Sequence, residues 1–403
     1  MICKITKKKI KPFMSFGKMP IANGFLKKSK FKKEYFFKME VGFSKTVSLF
    51  QLNNHPKPNM MFNDNYPFFT GSSKGMKDHF KKYSNWIKKR YLGDSNNKNK
   101  KNLIEIGSND GTFLSNFRNY SLNLLGIEPS NNVAKISKKK GIKTKNIFFT
   151  YKNIKKLKYL NKKTDIICAA NVICHIPNLN DLIKGVDFLL NKKGLFIFEE
   201  PYLGSMYKKT SYDQIYDEHI YIFSANSIKK IFQLHGFDLI DVIPQTTHGG
   251  SMRYVIGRAG EYKIKKSVLK CILEEKRKNI DSLKGCINFK RKCEASKKKL
   301  KKKISDILKR GKNIAGYAAT SKSTTILNYC GINNNHIDFI CDTTPNKINT
   351  YSPGTHIPIV SVDYYRKNIP DYTFLFAWNH KKEIYIKEKK ILKKTNWFAH
   401  VKI

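Results

Sequence analysis

The chain has 403 residues, 40% of them hydrophobic, and a formal net charge of +48 from 78 Lys and Arg against 30 Asp and Glu. This length exceeds one ordinary hydrophobic core and predicts two or three compact units, of which we expect three. No apolar run is long enough to cross a bilayer, and the basic N-terminus lacks the apolar stretch of a secretory signal, so we expect a cytoplasmic protein.

The excess positive charge comes almost entirely from lysine, which accompanies abundant Asn and Ile. That mixture is typical of compositional drift in an AT-rich genome, and we favour this explanation over a surface for nucleic acid or for an acidic membrane. Eight cysteines are scattered along the chain without a C-x-x-C pair. They predict reduced, mostly buried thiols and no disulfide framework.

The first 90 residues show few periodic segments and several Pro, Gly and Ser breakers, which predict a small loop-rich unit. From Leu103 onward, short apolar runs alternate with helical stretches, and this is the pattern of a doubly wound parallel sheet. The predicted strands are LIEIG, NLLGIEP, IKTKNIFF, DIICAANV and GLFIFEE, with helices from about Asp110, Ser130 and Asn178. Two further strands, LIDVIP and SMRYVIGR, follow them.

A long polar helix is predicted from about Lys265 to Arg310, where KKKLKKK indicates a solvated face. Beyond it, KNIAGYAA, a helix from Ser321, HIDFICD, PIVS and TFLFAWN form a second alternating unit. The predicted fold class is therefore α/β. Its predicted parts are a small N-terminal domain over residues 1–90, a Rossmann-like domain over 91–260, a long helical connection over 261–310 and a C-terminal Rossmann-like domain over 311–403.

The segment LIEIGSNDGTFL spreads acidic residues and glycines across the turn that follows the first strand of the middle domain. Glycines at such a turn let the backbone come close to a bound ligand. The next strand ends in GIEPS, so Glu128 stands where a carboxylate accepts both ribose hydroxyls of a nucleoside. Together these features predict a nucleoside site, whereas the glycines alone are equally consistent with a packing turn. The predicted cofactor-binding residues are Glu105, Gly107, Asn109, Asp110, Gly111, Glu128 and Asn171.

Adenosylmethionine and a nicotinamide cofactor both fit such a crevice, so other residues must discriminate between them. The spacing Glu105-x-Gly107-x-x-x-Gly111 fits a methyltransferase turn better than a dinucleotide fingerprint. Asn171 and His175 follow DIICAANV, which places them beside the reactive end of the ligand. Amino-group methyltransferases of nucleic acids commonly carry an Asn-Pro-Pro-aromatic element there, and ANVICHIP lacks it.

Several long strings along nearly the whole chain resemble the three-domain C-methyltransferases that act on nucleotide-linked 4-keto-deoxysugars in antibiotic and surface-polysaccharide pathways. The strings are EIGSNDGTFL, GIEPS, NVICHIPNL, IYDEHIYIFS, HGGSMRY, YAATSKSTTILNYCGI, YSPGTHIPI and PDYTFLFAWN. The resemblance implies a small zinc-binding N-terminal domain, a class I methyltransferase domain that binds S-adenosyl-L-methionine (SAM), and a C-terminal Rossmann-like domain. It further implies that the sugar nucleotide lies between the last two domains and is methylated at C-3.

The zinc site implied by the resemblance is degenerate in this chain. Its four cysteines would fall at Cys3, Thr6, Ser44 and Val47, so only the first thiol remains. Three lost thiolates leave no tetrahedral thiolate site, and we therefore expect no bound metal and no zinc cofactor. The N-terminal fold would then depend on packing by PIANGF and SLFQL.

A keto group at C-4 makes the hydrogen on C-3 acidic, so methylation there needs a base and donors for the enolate oxygen. The resemblance implies that His219 is the base, with Tyr216 and Glu218 binding the sugar or orienting the imidazole. It assigns His175 to the keto oxygen or the sugar. Tyr66 is the candidate hydroxyl from the N-terminal domain, although the family tyrosine often stands two positions later, where this chain has Phe. From the residues alone, His219 is equally consistent with a partly buried histidine in a polar turn.

The remaining candidates are assigned to substrate binding. In HGGSMRY the glycines permit close approach, and Arg253 is suited to a pyrophosphate, with His248 beside it. A structural bulge with a surface arginine explains the same residues equally well. In the C-terminal domain, the turn that contains Thr320 and Lys322 suits a diphosphate at a helix N-terminus, unless it is only a structural turn.

Two other functions stay open from the sequence. The positive charge suits a nucleic-acid methyltransferase, against which the missing Asn-Pro-Pro element counts. A non-catalytic sugar-nucleotide-binding protein is the second alternative, and the retention of Glu218, His219 and the nucleoside turn counts against it. The expected partner is a nucleotide-linked 4-keto-deoxysugar, with no specific nucleic acid and no membrane span.

Overall fold

A computed structural model describes residues 1–64, 66–93 and 100–403. Within these ranges the strands form three sheets, of four, seven and five strands. No helix among the described residues is long and apolar enough to cross a membrane.

The N-terminal region contains a small antiparallel sheet, so the prediction of a loop-rich unit is wrong. Its elements are β1 (Pro12–Pro20), β2 (Phe36–Ser44), β3 (Leu49–Leu52), α1 (Pro58–Met61) and α2 (Lys74–Ile87). The strands pair in the order β1–β2–β3, and the short strand Tyr221–Ile222 of the middle region extends the sheet next to β3. Two irregularities in the β1–β2 register interrupt the alternation of apolar and polar residues, which hid the strands in the sequence.

The four positions of the implied zinc site come together in this region. Cys3, Ser44 and Val47 are buried, and the backbone N–H of Thr6 donates to the Cys3 sulfur at 3.4 Å. Burial raises the pKa of the Cys3 thiol, but hydrogen bonds from Ser44 and Thr6 outweigh burial and lower it overall. Two hydroxyls and a valine stand where three thiolates would be needed, so these residues do not fit a tetrahedral zinc site.

The middle region has a seven-stranded sheet in the order β10–β11–β8–β7–β4–β5–β6. The strands of the middle region are β4 (Lys101–Ile106), β5 (Leu122–Ile127), β6 (Thr144–Lys145), β7 (Thr164–Ala170), β8 (Leu190–Pro201), β9 (Tyr221–Ile222), β10 (Phe237–Gln245) and β11 (Ser251–Arg258), of which β9 belongs to the first sheet. Its helices are α3 (Asn131–Lys139), α4 (Tyr151–Ile154), α5 (Leu179–Leu189), α6 (Leu203–Lys209) and α7 (Ala225–Gln233). Among the described strands of this sheet, β11 alone runs in the direction opposite to all the others. This is the Rossmann-like class I methyltransferase fold.

Two predicted helices differ from the structure. No α-helix begins at Asp110; a 3-10 turn at Leu114–Phe117 follows the glycine turn instead. The Ser115 hydroxyl and the Asn116 amide bond to backbone carbonyls of the preceding turn, and such local bonds compete with a regular helix. The single long helix is in fact two, α8 (Lys266–Arg277) and α9 (Leu283–Lys309). They are separated where Asn279 adopts a positive φ of 55° and Ser282 caps α9.

The C-terminal region is a five-stranded parallel sheet in the order β14–β13–β12–β15–β16. Its elements are β12 (Ile314–Tyr317), α10 (Ser321–Cys330), β13 (Ile340–Asp342), β14 (Ile359–Ser361), α11 (Val362–Lys367), β15 (Tyr372–Leu375), α12 (Lys381–Lys387) and β16 (Asn396–Phe398). The predicted second alternating α/β unit is therefore confirmed.

Helix α9 joins the first and last sheets through one apolar core. Phe289 packs against Phe50 of β3 and Tyr207 of α6, with ring centroids 6.5 and 4.6 Å apart. Further along the helix, Leu300 and Ile304 are buried in the same core as the C-terminal strands. Most lysines of KKKLKKK are exposed on the opposite side, as predicted for a solvated face.

Candidate active site

A cavity of about 1440 Å³ lies at the carboxyl ends of parallel strands from the seven-stranded and the five-stranded sheets. Gly107, Glu128 and Asn171 enter its wall from the ends of β4, β5 and β7. Ala318 and Asp342 enter it from the ends of β12 and β13. Open α/β sheets bind ligands at these strand ends, so this single cavity is bordered by two sheet edges that are suited to ligand binding.

Most of the predicted site residues line this cavity, although they come from all three regions of the chain. Those that line it are Tyr66, Gly107, Asn109, Glu128, Asn171, His175, Tyr216, Glu218, His219, His248, Thr320 and Lys322. Four predicted residues, Glu105, Asp110, Gly111 and Arg253, are not part of the lining.

Glu128 is the acidic residue at the end of β5. Its Oε2 accepts the Asn109 N–H and its Oε1 accepts the Ser130 N–H, both at 2.8 Å. Burial raises the pKa of this carboxyl, and the two backbone donors oppose that rise. Gly107, in the turn that follows β4, has a φ of 67°, and a Cβ added there would collide with the Val172 side chain. The carboxylate is thereby fixed at the cavity wall with acceptor capacity to spare.

The residues around Glu128 fit SAM, which carries an ammonium, a sulfonium and a ribose diol. Buried Glu105 Oε2 and Asn171 Oδ1 have no hydrogen-bond partner among the described residues. Asn171 lines the cavity, and its unsatisfied Oδ1 suits an ammonium group, because a buried polar atom without a partner costs free energy. Phe148 and Phe149 add apolar surface to this part of the lining. Glu128 and Asn171 are therefore the residues that would hold SAM here, whereas Glu105 lies outside the lining.

Asn109 and Asp110 use their side chains differently from the prediction. Asn109 Oδ1 accepts the N–H of Thr70 at 3.0 Å, and Asp110 Oδ2 accepts the N–H of Gly71 at 3.0 Å. Both side chains thus hold the segment 68–71 over the nucleoside turn. Gly111 also has a packing role, since a Cβ there would lie 2.6 Å from the Ser137 hydroxyl.

His219 has both ring nitrogens in hydrogen bonds. Nδ1 lies 2.7 Å from the Gln214 carbonyl, and Nε2 lies 2.7 Å from the Tyr216 hydroxyl. A carbonyl can only accept, so Nδ1 carries the hydrogen and the Nε2 lone pair accepts from the phenol. Burial, with a smaller contribution from His175, lowers the pKa of His219 well below its usual value. The imidazole is therefore neutral, with its basic nitrogen beside Tyr216.

His175 and His248 supply two more imidazoles to the same cavity. The His175 ring stacks on that of His219 with centroids 5.4 Å apart, and burial lowers its pKa to about 3. His248 adopts a positive φ of 52°, and burial also lowers its pKa to about 3. In both, Nε2 is buried without a hydrogen-bond partner among the described residues. Two neutral imidazoles thus have an unused nitrogen at the cavity.

Cys174 lies beside this pair of histidines. Its sulfur and one nitrogen each of His175 and His219 lie within 4.8 Å of one another. Burial raises the pKa of the thiol well above its usual value, and nearby Glu200 raises it further. Since both nitrogens of His219 are already hydrogen-bonded to Gln214 and Tyr216, we interpret the three residues as a packed group with a neutral thiol and not as a metal site.

Three family models match successive parts of the chain. They are described as "Putative zinc binding domain" (residues 3–62), "Methyltransferase domain" (residues 77–242) and "C-methyltransferase C-terminal domain" (residues 246–401). The C-methyltransferase NovU of Streptomyces niveus is 28% identical over 382 residues, which cover 94% of this chain and 90% of NovU. Together these matches support a SAM-dependent C-methyltransferase. SAM is accordingly the cofactor of this methyltransferase, as predicted.

Two of the solved structures that resemble this methyltransferase each cover less than half of its chain. The PH0226 protein of Pyrococcus horikoshii OT3 is 13% identical and covers 47% of this chain and 94% of its own, with a TM-score of 0.37. Magnesium protoporphyrin IX methyltransferase of Synechocystis PCC 6803, solved with bound SAM, is 13% identical and covers 46% of this chain and 80% of its own, with a TM-score of 0.34. At these TM-scores neither similarity supports a functional argument.

Arg253 of the methyltransferase does not have the position that its predicted pyrophosphate role requires. The residue is buried outside the cavity lining, and its Nε donates to Glu199 Oε1 at 2.7 Å. Its guanidinium also lies over the rings of Tyr83 and Trp86, 4.0 and 4.5 Å from their centroids. The other carboxylate oxygen of Glu199 pairs with His79 at 2.6 Å. Arg253 is therefore part of a buried ion pair. It neither lines the cavity, as the ligand-binding prediction required, nor lies at the surface, as the alternative required.

Asp342 and Lys347 are among the charged residues of the C-terminal lining that were not singled out from the sequence. Asp342 Oδ1 accepts the N–H of Thr344 at 2.8 Å. Lys347 Nζ donates to the Ala319 carbonyl at 2.7 Å and lies 4.7 Å from the centroid of the Phe25 ring. An acidic residue at the end of the second strand was the signal used for Glu128, and the same signal in HIDFICD would have found Asp342.

Thr320 and Lys322 of the methyltransferase lie at the N-terminus of α10. The Thr320 hydroxyl accepts the N–H of Ser323 and completes a capping box. Lys322 Nζ donates to Asn379 Oδ1 at 3.1 Å and lies 4.9 Å from the centroid of the Trp378 ring. Burial lowers the pKa of this lysine. The helix end thus places a buried amine beside its own positive dipole.

Proposed function

We propose that this C-methyltransferase methylates the carbon beside the keto group, C-3, of a nucleotide-linked 4-keto-deoxysugar. One observation carries the proposal: a single cavity joins two nucleoside-type strand ends with the hydrogen-bonded pair Tyr216 and His219. The first strand end fits SAM, and the second offers Asp342 with two lysines to another nucleotide. We also propose domain boundaries near residues 90, 260 and 310.

His219 is the proposed base. Its Nδ1 hydrogen is held by the Gln214 carbonyl, which leaves the Nε2 lone pair to accept a proton at the position that Tyr216 now fills. The lowered pKa keeps the ring neutral before the reaction, so the lone pair is available. When bound, SAM supplies an electrophilic methyl group carried on a sulfonium.

The proposed donors to the enolate oxygen are the imidazoles and phenols that surround this base. His175 and His248 are neutral, and each has a ring nitrogen without a partner among the described residues. Burial raises the pKa of Tyr66 and Tyr216 well above the usual value, so both keep their hydroxyl hydrogen. Fixed neutral donors stabilise a developing enolate without solvent reorganisation. Glu218 and Tyr216 would contact the sugar hydroxyls.

The second nucleotide is proposed to lie along the C-terminal strand ends. Asp342 would accept hydrogen bonds from its ribose, since it ends β13 as Glu128 follows β5. Its diphosphate would approach the N-terminus of α10, where Lys322 and Lys347 provide positive charge. Thr320, whose hydroxyl caps the helix, would shape the turn.

The proposal is tested by offering purified full-length enzyme methyl-tritiated SAM with either a nucleotide-linked 4-keto-6-deoxysugar or RNA. We expect label in the sugar nucleotide and none in RNA above the level without enzyme. Label in RNA alone would establish the nucleic-acid alternative. Binding of the sugar nucleotide without any transfer would establish the non-catalytic binding protein.

A further inference from the structure

The loop between β1 and β2 donates hydrogen bonds to two adjacent acidic residues, Asp217 and Glu218, of which Glu218 lines the cavity. Asn23 Nδ2 donates to Glu218 Oε1 at 2.7 Å, and the Ala22 N–H donates to Asp217 Oδ1 at 3.1 Å. The Ala22 carbonyl accepts in turn from the Thr324 hydroxyl of α10 at 2.8 Å. One short loop therefore connects the N-terminal, middle and C-terminal regions beside the proposed base.

The Asn23 side chain is not used by the loop itself. The turn closes through a backbone bond from Gly24 N–H to the Ile21 carbonyl at 2.9 Å. Asn23 lines the cavity, and its amide reaches Glu218 across 195 residues of sequence. The residue thus serves the acidic pair of the middle region and not the local fold.

The surroundings of Glu218 make a donor necessary. Asp217 is its immediate neighbour, and burial raises the pKa of both carboxyls. The other titratable groups that influence Glu218, or are influenced by it, are Tyr66, Cys174, Tyr216 and Lys347. Among the described residues, the favourable contributions to its ionised form are the Asn23 amide and the charge of Lys347. Two adjacent buried carboxyls do not both ionise without such support.

We propose that Asn23 is a positioning residue of the methylation reaction, which fixes Glu218 as an ionised acceptor at the cavity wall. The inference rests on the proposed function, in which Glu218 contacts the sugar. The N-terminal region would then contribute to the reaction without a metal, because its contribution is the single amide hydrogen bond from Asn23 to Glu218.

The test is the pH profile of methyl transfer by Asn23→Leu, which removes the donor at similar volume. Loss of a hydrogen bond to a carboxylate raises its pKa, so the acid limb should move to higher pH by about one unit. At each pH on the acid limb, the rate of the variant should therefore be about tenfold lower than that of the wild type, whereas its SAM affinity and thermal midpoint should stay at wild-type values. Asn23→Gln, which retains an amide, should recover part of the rate.

A matched control is Asn53→Leu. Asn53 donates to Glu40 at 3.4 Å in the same region but outside the cavity lining, so its loss should leave the pH profile unchanged. In a Glu218→Gln background, Asn23→Leu should have no further effect, because the titrating group is gone. Equal losses in both backgrounds, or a loss that is the same at every pH, would overturn the inference. Failure of wild-type enzyme to methylate any 4-keto sugar nucleotide would instead refute the proposed function.

Discussion

Two strand ends of the protein, those of β4 and β12, are followed by turns with the same backbone hydrogen bond. After β4, the N–H of Gly107 donates to the Ile127 carbonyl at 2.8 Å; after β12, the N–H of Ala318 donates to the Cys341 carbonyl at 2.8 Å. Both turn residues have a positive φ, 67° and 74°. A non-glycine residue at such a φ is uncommon, so Ala318 indicates that the surrounding fold imposes this turn.

The acidic residues that follow the accepting carbonyls are also alike. Glu128 accepts the N–H of the residue two places later, Ser130, and Asp342 accepts the N–H of Thr344 in the same way, both at 2.8 Å. The two sheets therefore present equivalent carboxylates to one cavity. Backbone geometry alone does not tell which ligand belongs to which strand end.

Charge distinguishes the two strand ends. Near Glu128, the buried acceptor Asn171 Oδ1 lacks a partner among the described residues, which suits a cationic ligand such as SAM. Near Asp342, Lys322 and Lys347 line the cavity, which suits an anionic diphosphate. The comparison teaches that similar nucleoside turns can be assigned to different ligands by the charge that surrounds them.

Removing the proposed base should have the largest effect, because His219 belongs to neither strand end and is proposed to act on the reacting carbon itself. His219→Ala should lose methyl transfer by about 10²-fold or more, the scale of a general base, while both ligands still bind. In deuterated water the wild-type enzyme should exchange the C-3 hydrogen, and the variant should not. His336→Ala, outside the cavity lining, is the control. Near-normal turnover and exchange in His219→Ala would make His175 the leading candidate.

Removing the first carboxylate should affect only the cationic ligand. Glu128→Ala should weaken SAM binding at least about tenfold, because hydrogen bonds to a charged acceptor are lost. Affinity for a nucleoside diphosphate should stay at the wild-type value. Calorimetric titration of each ligand measures both quantities, and a thermal melt shows whether loss of the bonds to Asn109 and Ser130 has disturbed the fold. Unchanged SAM affinity would remove the assignment of this strand end.

Removing the second carboxylate should have the converse and smaller effect. Asp342→Ala should weaken binding of a nucleoside diphosphate by about tenfold or less and leave SAM affinity unchanged. Titration with a ribonucleoside diphosphate and with its 2′-deoxy form separates the contributions of the two ribose hydroxyls. If SAM affinity falls instead, the division of ligands by charge is incorrect.

The smallest effect is expected from metal removal. The positions of Cys3, Thr6, Ser44 and Val47 offer one thiol, so we expect no stoichiometric zinc and no change in melting temperature with a chelator. Elemental analysis of the purified protein measures this directly. About one tightly held zinc per chain, lost in Cys3→Ser, would contradict the expectation.

Much of the α/β framework could be predicted because its signals are local. The strand LIEIG, the acid of GIEPS and the start of α10 each depend on a few neighbouring residues. The first sheet could not, because bulges in β1 break its periodicity and β9, which completes it, lies about 170 residues further along the chain. The break between α8 and α9 depends on Asn279 and Ser282, whose effect a polar sequence conceals.

The site residues also fall into two groups, those that a local motif could place and those that depend on partners distant in sequence. Residues in strand-end motifs, such as Glu128 and His175, could be placed in the cavity from the sequence. Arg253 could not, because its partners Glu199 and Tyr83 are distant in sequence and bury the guanidinium. Asn23 was missed for the related reason that its contact with Glu218 crosses between regions. Long-range pairs of this kind leave no local pattern.

The most direct test of the account is the carbon that receives the methyl group. Enzyme supplied with ¹³C-methyl SAM and a nucleotide-linked 4-keto-6-deoxysugar should give a product whose labelled methyl is bonded to C-3, visible as carbon-carbon coupling and long-range correlation to the C-4 carbonyl in NMR spectra. That result is predicted because the base at Nε2 of His219 creates a nucleophilic carbon beside the ketone. A labelled methyl on oxygen or nitrogen, or on any other carbon, including C-5 on the other side of the ketone, would contradict it.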